Sequence, residues 1–310
     1  MKTLVLVNPA AGRGSAARLW PQIESGLKEI LDDHEVVFTT QAGSEAAIAR
    51  DAFGRGCRRF LAVGGDGTCN HMVNGLFENG EPLASDLVVA PIPGGTANEL
   101  AREMGYHADI PGALRAIGSG RTRAIDLLDA EFTPLDGGSG RWLAYIAMSW
   151  GSAAEISYRT SASRYLKKLG GRFSYYAVTL IVTLTYQKQR GDLTIDGETH
   201  NDVLQYTGLI MNTEVGGGGM KLAPGAIADD GIADLTLFKD VPRKDILTNP
   251  PSWLFEGRHI EHPEIDLIRG RSFEIGGPAE MLVDADGETV GRLPLKVTVR
   301  PNLLPVCAPA

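Results

Sequence analysis

Three cysteines in 310 residues are too few, and too unevenly placed, for a disulfide framework. Cys57, Cys69 and Cys307 also lack metal-ligand spacing, so the sequence reads as one that keeps reduced thiols, which points to the cytoplasm. Long hydrophobic runs are missing too. Leu4–Val7 is too short for a signal-peptide core, and Ala177–Tyr186, interrupted by threonines, is too short to span a bilayer. Positive charge is not in excess: 30 Lys and Arg stand against 38 Asp and Glu. The resulting net charge of −8 argues against a general nucleic-acid binder and leaves room only for local basic patches. No G-x-x-x-x-G-K-[ST] segment exists, which excludes a P-loop nucleotidase, and there is no internal repeat. The remainder is ordinary: 43% hydrophobic and 22% charged residues, over a length that exceeds one hydrophobic core and implies two domains.

Glycine, by contrast, is plentiful and organised. Three glycine-rich turns, each at the exit of an apolar strand, fall in the amino-terminal third: Asn8-Pro9-Ala10-Ala11-Gly12, Gly64-Gly65-Asp66-Gly67-Thr68, and Pro93-Gly94-Gly95-Thr96-Ala97-Asn98. Strand and helix alternate around them. Strand Thr3–Val7, a helix from Ser15 to Leu31, strand Glu35–Thr39, a helix from Ser44, strand Phe60–Val63, a helix capped by Thr68 or Asn70 and running to Leu76, strand Leu87–Ile92 and a helix over Ala97–Met104 predict a doubly wound α/β domain over residues 1–125. Such sheets bind ligands at the carboxyl ends of their strands, where all three turns lie. Backbone N–H groups at a glycine turn and helix start suit a polyphosphate.

After Arg123 the texture changes. Runs at Trp142–Met148, Gly191–Ile195, Gln205–Asn212, Ala233–Phe238, Ser272–Ile275 and Lys296–Val299 predict a mainly antiparallel β domain over residues 126–310, with the return of the last strands to the first domain left open. A helical stretch over Ala162–Tyr186 interrupts it, and Asp136–Gly140 reads as a hairpin tip.

Several residues admit two readings. Gly12-Arg13-Gly14-Ser15-Ala16-Ala17 fits a dinucleotide fingerprint, but Thr39-Thr40 stands where that fingerprint needs an acid. One glycine turn alone would be simple turn geometry; three in register are not. Asp286-Gly287 is a good hairpin dipeptide, and Asp196-Gly197-Glu198 is a second copy that composition does not separate from it. Asp126 could pair with Arg123 at the surface, yet an acid inside the apolar strand Ala124–Leu128 is costly without a partner or a task. Asp229-Asp230-Gly231 is a turn by composition.

Taken in order, these residues resemble the diacylglycerol-kinase catalytic family of bacterial lipid kinases and eukaryotic sphingosine and ceramide kinases. The matching positions are Asn8-Pro-x-x-Gly12, Thr40, Gly64-Gly-Asp-Gly-Thr-x-Asn70, Pro93-Gly-Gly-Thr-x-Asn98, Arg123-x-x-Asp126, Ala226-x-x-Asp-Asp-Gly231 and Asp286-Gly-Glu288. The resemblance implies an NAD-kinase and phosphofructokinase-like first domain and an ATP- and Mg²⁺-dependent lipid kinase. It assigns ATP to Asn8, Pro9, Ala10, Ala11, Gly12, Thr40, Gly64, Gly65, Asp66, Gly67, Thr68, Cys69, Asn70 and Thr96. It gives the catalytic Mg²⁺ to Asp66 with Asp126 behind it, and the role of base to Glu288 with Asp286 beside it. For a second, structural Mg²⁺ it implies the Asp230 carboxylate with the carbonyls of Ile227 and Ile232. It places Glu155 at the polar head of the substrate.

Two positions depart from the family pattern: His71 replaces a common Glu, and Glu99 replaces a common Asp. Diacylglycerol is the implied acceptor, with a sphingoid base or ceramide as the alternative. An NAD kinase or a non-catalytic nucleotide-binding regulator are readings of another class. Between Ile156 and Gly191 there is no acid, while Arg159, Arg164, Lys167, Lys168 and Arg172 interleave with Tyr158, Tyr165, Phe173, Tyr175 and Tyr176. This predicts transient, peripheral contact with an anionic membrane, the plain alternative being a solvated helix with an aromatic core stripe. Nucleic acid is not an expected partner, and a homodimer is left open.

Overall fold

The computed structural model of the chain describes residues 1–41, 43–106, 109–162, 171–250 and 252–310, with the side chains of 171–176 outside that description. The chain divides into two compact units, Met1–Leu127 with Arg300–Ala310, and Leu128–Val299.

The first unit contains β1 (Thr3–Val7), α1 (Ala11–Ile30), β2 (His34–Phe38), α2 (Glu45–Gly54), β3 (Arg59–Gly64), α3 (Asp66–Gly75), the small hairpin β4 (Phe77–Glu78) and β5 (Glu81–Pro82), β6 (Val88–Pro93), α4 (Glu99–Glu103), α5 (Ile110–Ser119) and the start of β7 (Arg121–Pro134). Its sheet is parallel. β2 pairs with β1, β1 with β3 and β3 with β6, and Val306 of the returning carboxyl-terminal segment pairs with Val89 of β6. Leu4, Val5, Leu6, Val7, Leu61 and Val63 are buried on both sides of the sheet, which is why these strands are continuous apolar runs. The helices pack as two pairs, α1 on α5 and α2 on α3. Within α1, Gly12, Arg13 and Gly14 have left-handed φ/ψ, so regular helix starts at Ser15. Helix α3 begins two residues before the expected cap: Gly65 is its N-cap, and Thr68 lies inside it. Helix α5 was not legible, because Pro111-Gly112 reads as a turn, yet Asp109 caps it by accepting the Gly112 N–H at 2.6 Å.

The second unit holds the rest of β7, then β8 (Gly140–Ala144), β9 (Ala147–Gly151), α6 (Ser152–Ala162), α7 (Gly171–Thr185), β10 (Gln189–Ile195), β11 (Glu198–Gln205), β12 (Thr207–Met211), β13 (Ala233–Phe238), α8 (Arg243–Thr248), α9 (Ser252–Phe255), β14 (Ile265–Gly270), β15 (Ser272–Ile275), β16 (Leu282–Ala285) and the first part of β17 (Glu288–Ala308). β14, β13, β12, β9, β16 and β17 succeed one another with antiparallel pairing. β10 joins β11 and β15, and β15 joins β17. At its centre Trp150 of β9 is wholly buried, with Nε1 donating to Gln205 Oε1 at 2.6 Å. Gly208, opposite it on β12, leaves room for the indole: a β-carbon there would lie 2.1 Å from the ring. Two expectations change. The run Trp142–Met148 is two strands, not one, because the Asp286 carboxylate holds a turn at Tyr145–Ala147. The helical stretch expected from Ala162 starts at Ser152, with α6 ending at Ala162 and α7 spanning Gly171–Thr185.

Candidate active site

In the first unit the three glycine turns converge. The Gly94 N–H donates to the Gly64 carbonyl at 2.8 Å. A β-carbon on Gly12 would sit 2.3 Å from the Gly94 oxygen, and one on Gly95 2.3 Å from the Gly65 Cα, so only glycine permits these approaches. Side chains then tie the turns together. Asn8 Nδ2 donates to Thr68 Oγ1 at 3.0 Å, and Asn8 Oδ1 accepts the Ala10 N–H at 3.1 Å. Asn98, in left-handed conformation at φ 52°, clamps its own turn by accepting the Gly95 N–H at 2.9 Å.

Asp66 links the second turn to the third. Its Oδ1 accepts the N–H of Glu99 at 2.8 Å and of Leu100 at 3.3 Å, the first turn of α4. Burial pushes the Asp66 carboxyl up from its ordinary value, and the backbone N–H groups of Leu100 and Glu99 work against that. The first bond of the α3 ladder is Cys69 N–H to the Gly65 carbonyl, so the amides of Asp66, Gly67 and Thr68 head the helix, where its dipole favours an anion. Cys69 and Asn70 point into the interior, Asn70 Oδ1 accepting from Asn74 Nδ2 at 3.0 Å. Thr40, Ala10 and Thr96 lie toward the surface, while Pro9, Ala11 and Gly12 are half-buried. Asp126 does not lie at the surface. It is wholly buried and accepts the Asn302 N–H at 2.7 Å, while Arg123 reaches Glu103 at 3.1 Å.

Sequence reasoning missed Glu45. It is 3% exposed beside the turns, with Oε1 3.4 Å from Asn8 Nδ2 and Oε2 buried without a partner. Its position at the start of α2 carries no motif, so only packing reveals it.

In the second unit, the Asp286-Gly287-Glu288 turn joins β16 to β17. Asp286 sits at φ 49°, its Oδ1 accepting the N–H groups of Ile146 at 2.9 Å and Ala147 at 2.8 Å and its Oδ2 that of Tyr145 at 3.0 Å. That gives Asp286 an anchoring task; Glu288, the other carboxylate of the turn, is half-buried. Ser157 of α6 fastens the turn from above by donating to the Gly287 carbonyl at 2.8 Å. Glu155, on the same helix, is engaged by Arg159 Nε at 2.5 Å.

Asp230 accepts the Ile232 N–H at 3.0 Å and is ion-paired with Arg269. Ile227 is exposed. Asp230, the carboxylate that the resemblance gives to a structural Mg²⁺, is thus engaged by the half-exposed side chain of Arg269. Asp66 does fit a nucleotide-bound Mg²⁺, which needs only one or two carboxylates beside phosphates and water. Among the described residues no three His, Cys, Asp or Glu side chains form a metal cluster. A cavity of about 550 Å³ on the second unit is lined by Glu131, Asp192, Glu274 and Lys296 and by none of the candidate residues. Arg164, Lys167 and Lys168, and the side chain of Arg172, lie outside the described residues.

Together a parallel α/β unit with converging glycine turns and an antiparallel β unit define an NAD-kinase-like kinase fold. Yeast NADH kinase complexed with NADH shares it, with a TM-score of 0.55 at 11% identity over 100% of this chain and 84% of that one. A diacylglycerol kinase from Bacillus anthracis does so with a TM-score of 0.71 at 22% identity, covering 99% and 96% of the two chains. Residues 2–130 match the diacylglycerol kinase catalytic domain, and residues 147–308 the YegS C-terminal NAD kinase beta sandwich-like domain. Among relatives, the diacylglycerol kinase of Staphylococcus haemolyticus is 28% identical over 308 residues, 98% of this chain and 87% of that protein. That of Mycobacterium tuberculosis is 27% identical over 310 residues, 99% of this chain and 95% of that protein. The chain belongs to the diacylglycerol kinase catalytic family and is a lipid kinase.

Proposed function

We propose that the protein transfers the γ-phosphate of ATP to the free hydroxyl of diacylglycerol, giving phosphatidic acid and ADP. The convergence of the three glycine turns, locked by Asp66 onto α4, carries the nucleotide half of this reading. The names of the relatives support the acceptor.

Residues of the first unit hold the nucleotide. Glycine at positions 12, 65 and 95 lets the three turns close on one another without a β-carbon between them, and the α3 amino terminus stabilises the phosphate charge. Mg²⁺, when bound, neutralises charge on the phosphates, and Asp66 would hold it. Residues of the second unit serve the acceptor. Glu288 takes the hydroxyl proton as the acceptor oxygen bonds to the γ-phosphorus and the bond to the bridging β–γ oxygen breaks. Asp286 and Ser157 keep the Glu288 turn in one position.

A sphingoid base would bring an ammonium to Glu155, which already carries Arg159; diacylglycerol has no cation and asks nothing of that carboxylate. The lipid must be met at a membrane. Helix α7 exposes Leu180, Ile181 and Leu184, and the acid-free run from Ile156 to Gly191 would add attraction to anionic headgroups.

The experiment is incubation of purified protein with γ-labelled ATP and a mixed lipid extract, with the labelled product then identified. Labelled phosphatidic acid supports the reading. Label confined to another lipid changes the acceptor, and no labelled lipid rejects the reading.

A further inference from the structure

Asp284 lies in β16, two residues before Asp286, and is 5% exposed. Its Oδ1 accepts the Gly287 N–H at 3.0 Å, whereas its Oδ2 is buried with no hydrogen-bond partner. Among the described residues, the elements packed around it supply no counter-charge. On β9 its cross-strand neighbour is Ser149, and across the bulge on β17 it is Thr289, whose Oγ1 is likewise buried without a partner. Helix α6 contributes Ser157, whose hydroxyl donates to the Gly287 carbonyl at 2.8 Å and also lies near the Asp284 carboxyl, and Glu155, which is paired with Arg159. The Asp286 carboxylate is taken by the backbone of Tyr145 to Ala147. The charge that acts on Asp284 is that of Glu288.

A buried carboxyl with one orphaned oxygen is costly, and a core does not keep it for packing alone. We propose that Asp284 is a positioning residue for Glu288: its Oδ1 holds the Asp286–Gly287 peptide, the one before the peptide that leads into Glu288, and its negative charge makes proton uptake by Glu288 favourable during phosphoryl transfer. The proposal rests on Glu288 being the base. Two neighbouring carboxylates repel each other, and the proton that leaves the acceptor hydroxyl for Glu288 removes one of the two charges. Asp284 itself gains and loses no proton in the step.

The charge is present only while Asp284 is ionised. Burial, the largest cause, pushes its carboxyl up to about 6; the nearby Ser157 hydroxyl and the Gly287 N–H oppose this, and the Glu288 charge adds to it. Below that pH Asp284 is neutral and its electrostatic help disappears. Asp284→Asn keeps the shape and an Oδ1 acceptor for Gly287, and it is neutral at every pH.

The test is the ratio of wild-type to Asp284→Asn kcat/KM across pH 5 to 8.5. The ratio should be about tenfold above pH 7 and fall toward one near pH 5, because only the wild type gains a charge in between. A ratio that is constant with pH, or equal to one throughout, overturns the proposal, since a purely structural residue gives no pH dependence. A carboxyl-carbon NMR titration of the wild type needs no folded Asn variant: one resonance should titrate near pH 6 and move to lower pH in Glu288→Gln. Absence of such a resonance overturns the proposal as well. The two readings separate cleanly. Full activity of Glu288→Gln rejects Glu288 as base, whereas an inactive Glu288→Gln beside a flat ratio rejects Asp284 alone.

Discussion

Asp286 and Asp196 occupy the same place in two hairpins: each opens an Asp-Gly-Glu turn at φ 49°, and the glycine after it sits at φ 87° or 88°. Each carboxylate also accepts successive backbone N–H groups, those of Ile146 and Ala147 for Asp286 and those of Arg271 and Ser272 for Asp196. The turns differ in the surroundings of their glutamates. Glu198 has an 80% exposed side chain beside His200, whereas Glu288 is half-buried and adjoins Asp284.

Glu288→Gln should therefore lower kcat by about 10²–10⁴-fold, the usual contribution of a general base, and Glu198→Gln should leave it unchanged. Initial rates of both variants on the same lipid decide this. Loss in Glu198→Gln instead would mean that the catalytic turn had been assigned to the wrong hairpin.

Asp66 has two tasks that two substitutions separate. Asp66→Asn retains an Oδ1 acceptor for the Glu99 N–H, so the melting temperature should hold while kcat falls at least about 10²-fold through the lost charge. Asp66→Ala removes the acceptor too and should cost about 1 kcal/mol of stability, the scale of a helix cap. Activity of Asp66→Asn within about threefold of wild type would remove Asp66 from the phosphate chemistry.

Membrane contact is testable at two sets of residues. Changing Leu180, Ile181 and Leu184 to Ser, or Lys167, Lys168 and Arg172 to Glu, should abolish sedimentation with anionic vesicles and raise KM for vesicle-borne lipid. Turnover of a short-chain, water-soluble acceptor should be nearly unchanged. Added salt should mimic the charge reversal in part, since the attraction decays over a Debye length of about 8 Å. Equal losses on both acceptors would assign these residues to the fold or the site instead.

Much of this was legible before the fold. The strands of the first unit were, because burial on both sides makes them continuous apolar runs such as Leu4–Val7, and the glycines announced close approach. The task of Asp66 on α4 was not, because a hydrogen bond to a residue 33 positions away leaves no local pattern. Nor were Glu45 and Asp284 legible. Each is a single acid whose meaning lies in an orphaned, buried oxygen. The break at Tyr145–Ala147 was hidden for a related reason: the apolar run is continuous, and the turn is imposed by Asp286 from 139–141 residues away.

The central claim is the transfer of phosphate from ATP to the hydroxyl of diacylglycerol. It is tested most directly by initial rates of the purified protein with ATP and diacylglycerol, sphingosine, ceramide or NAD⁺ as sole acceptor, the lipids presented in identical anionic mixed micelles. The account predicts phosphatidic acid formation with a kcat/KM at least about tenfold above that for any other acceptor, and its loss in Asp66→Asn and Glu288→Gln. Faster phosphorylation of sphingosine, ceramide or NAD⁺, or phosphatidic acid formation that survives both substitutions, would contradict it.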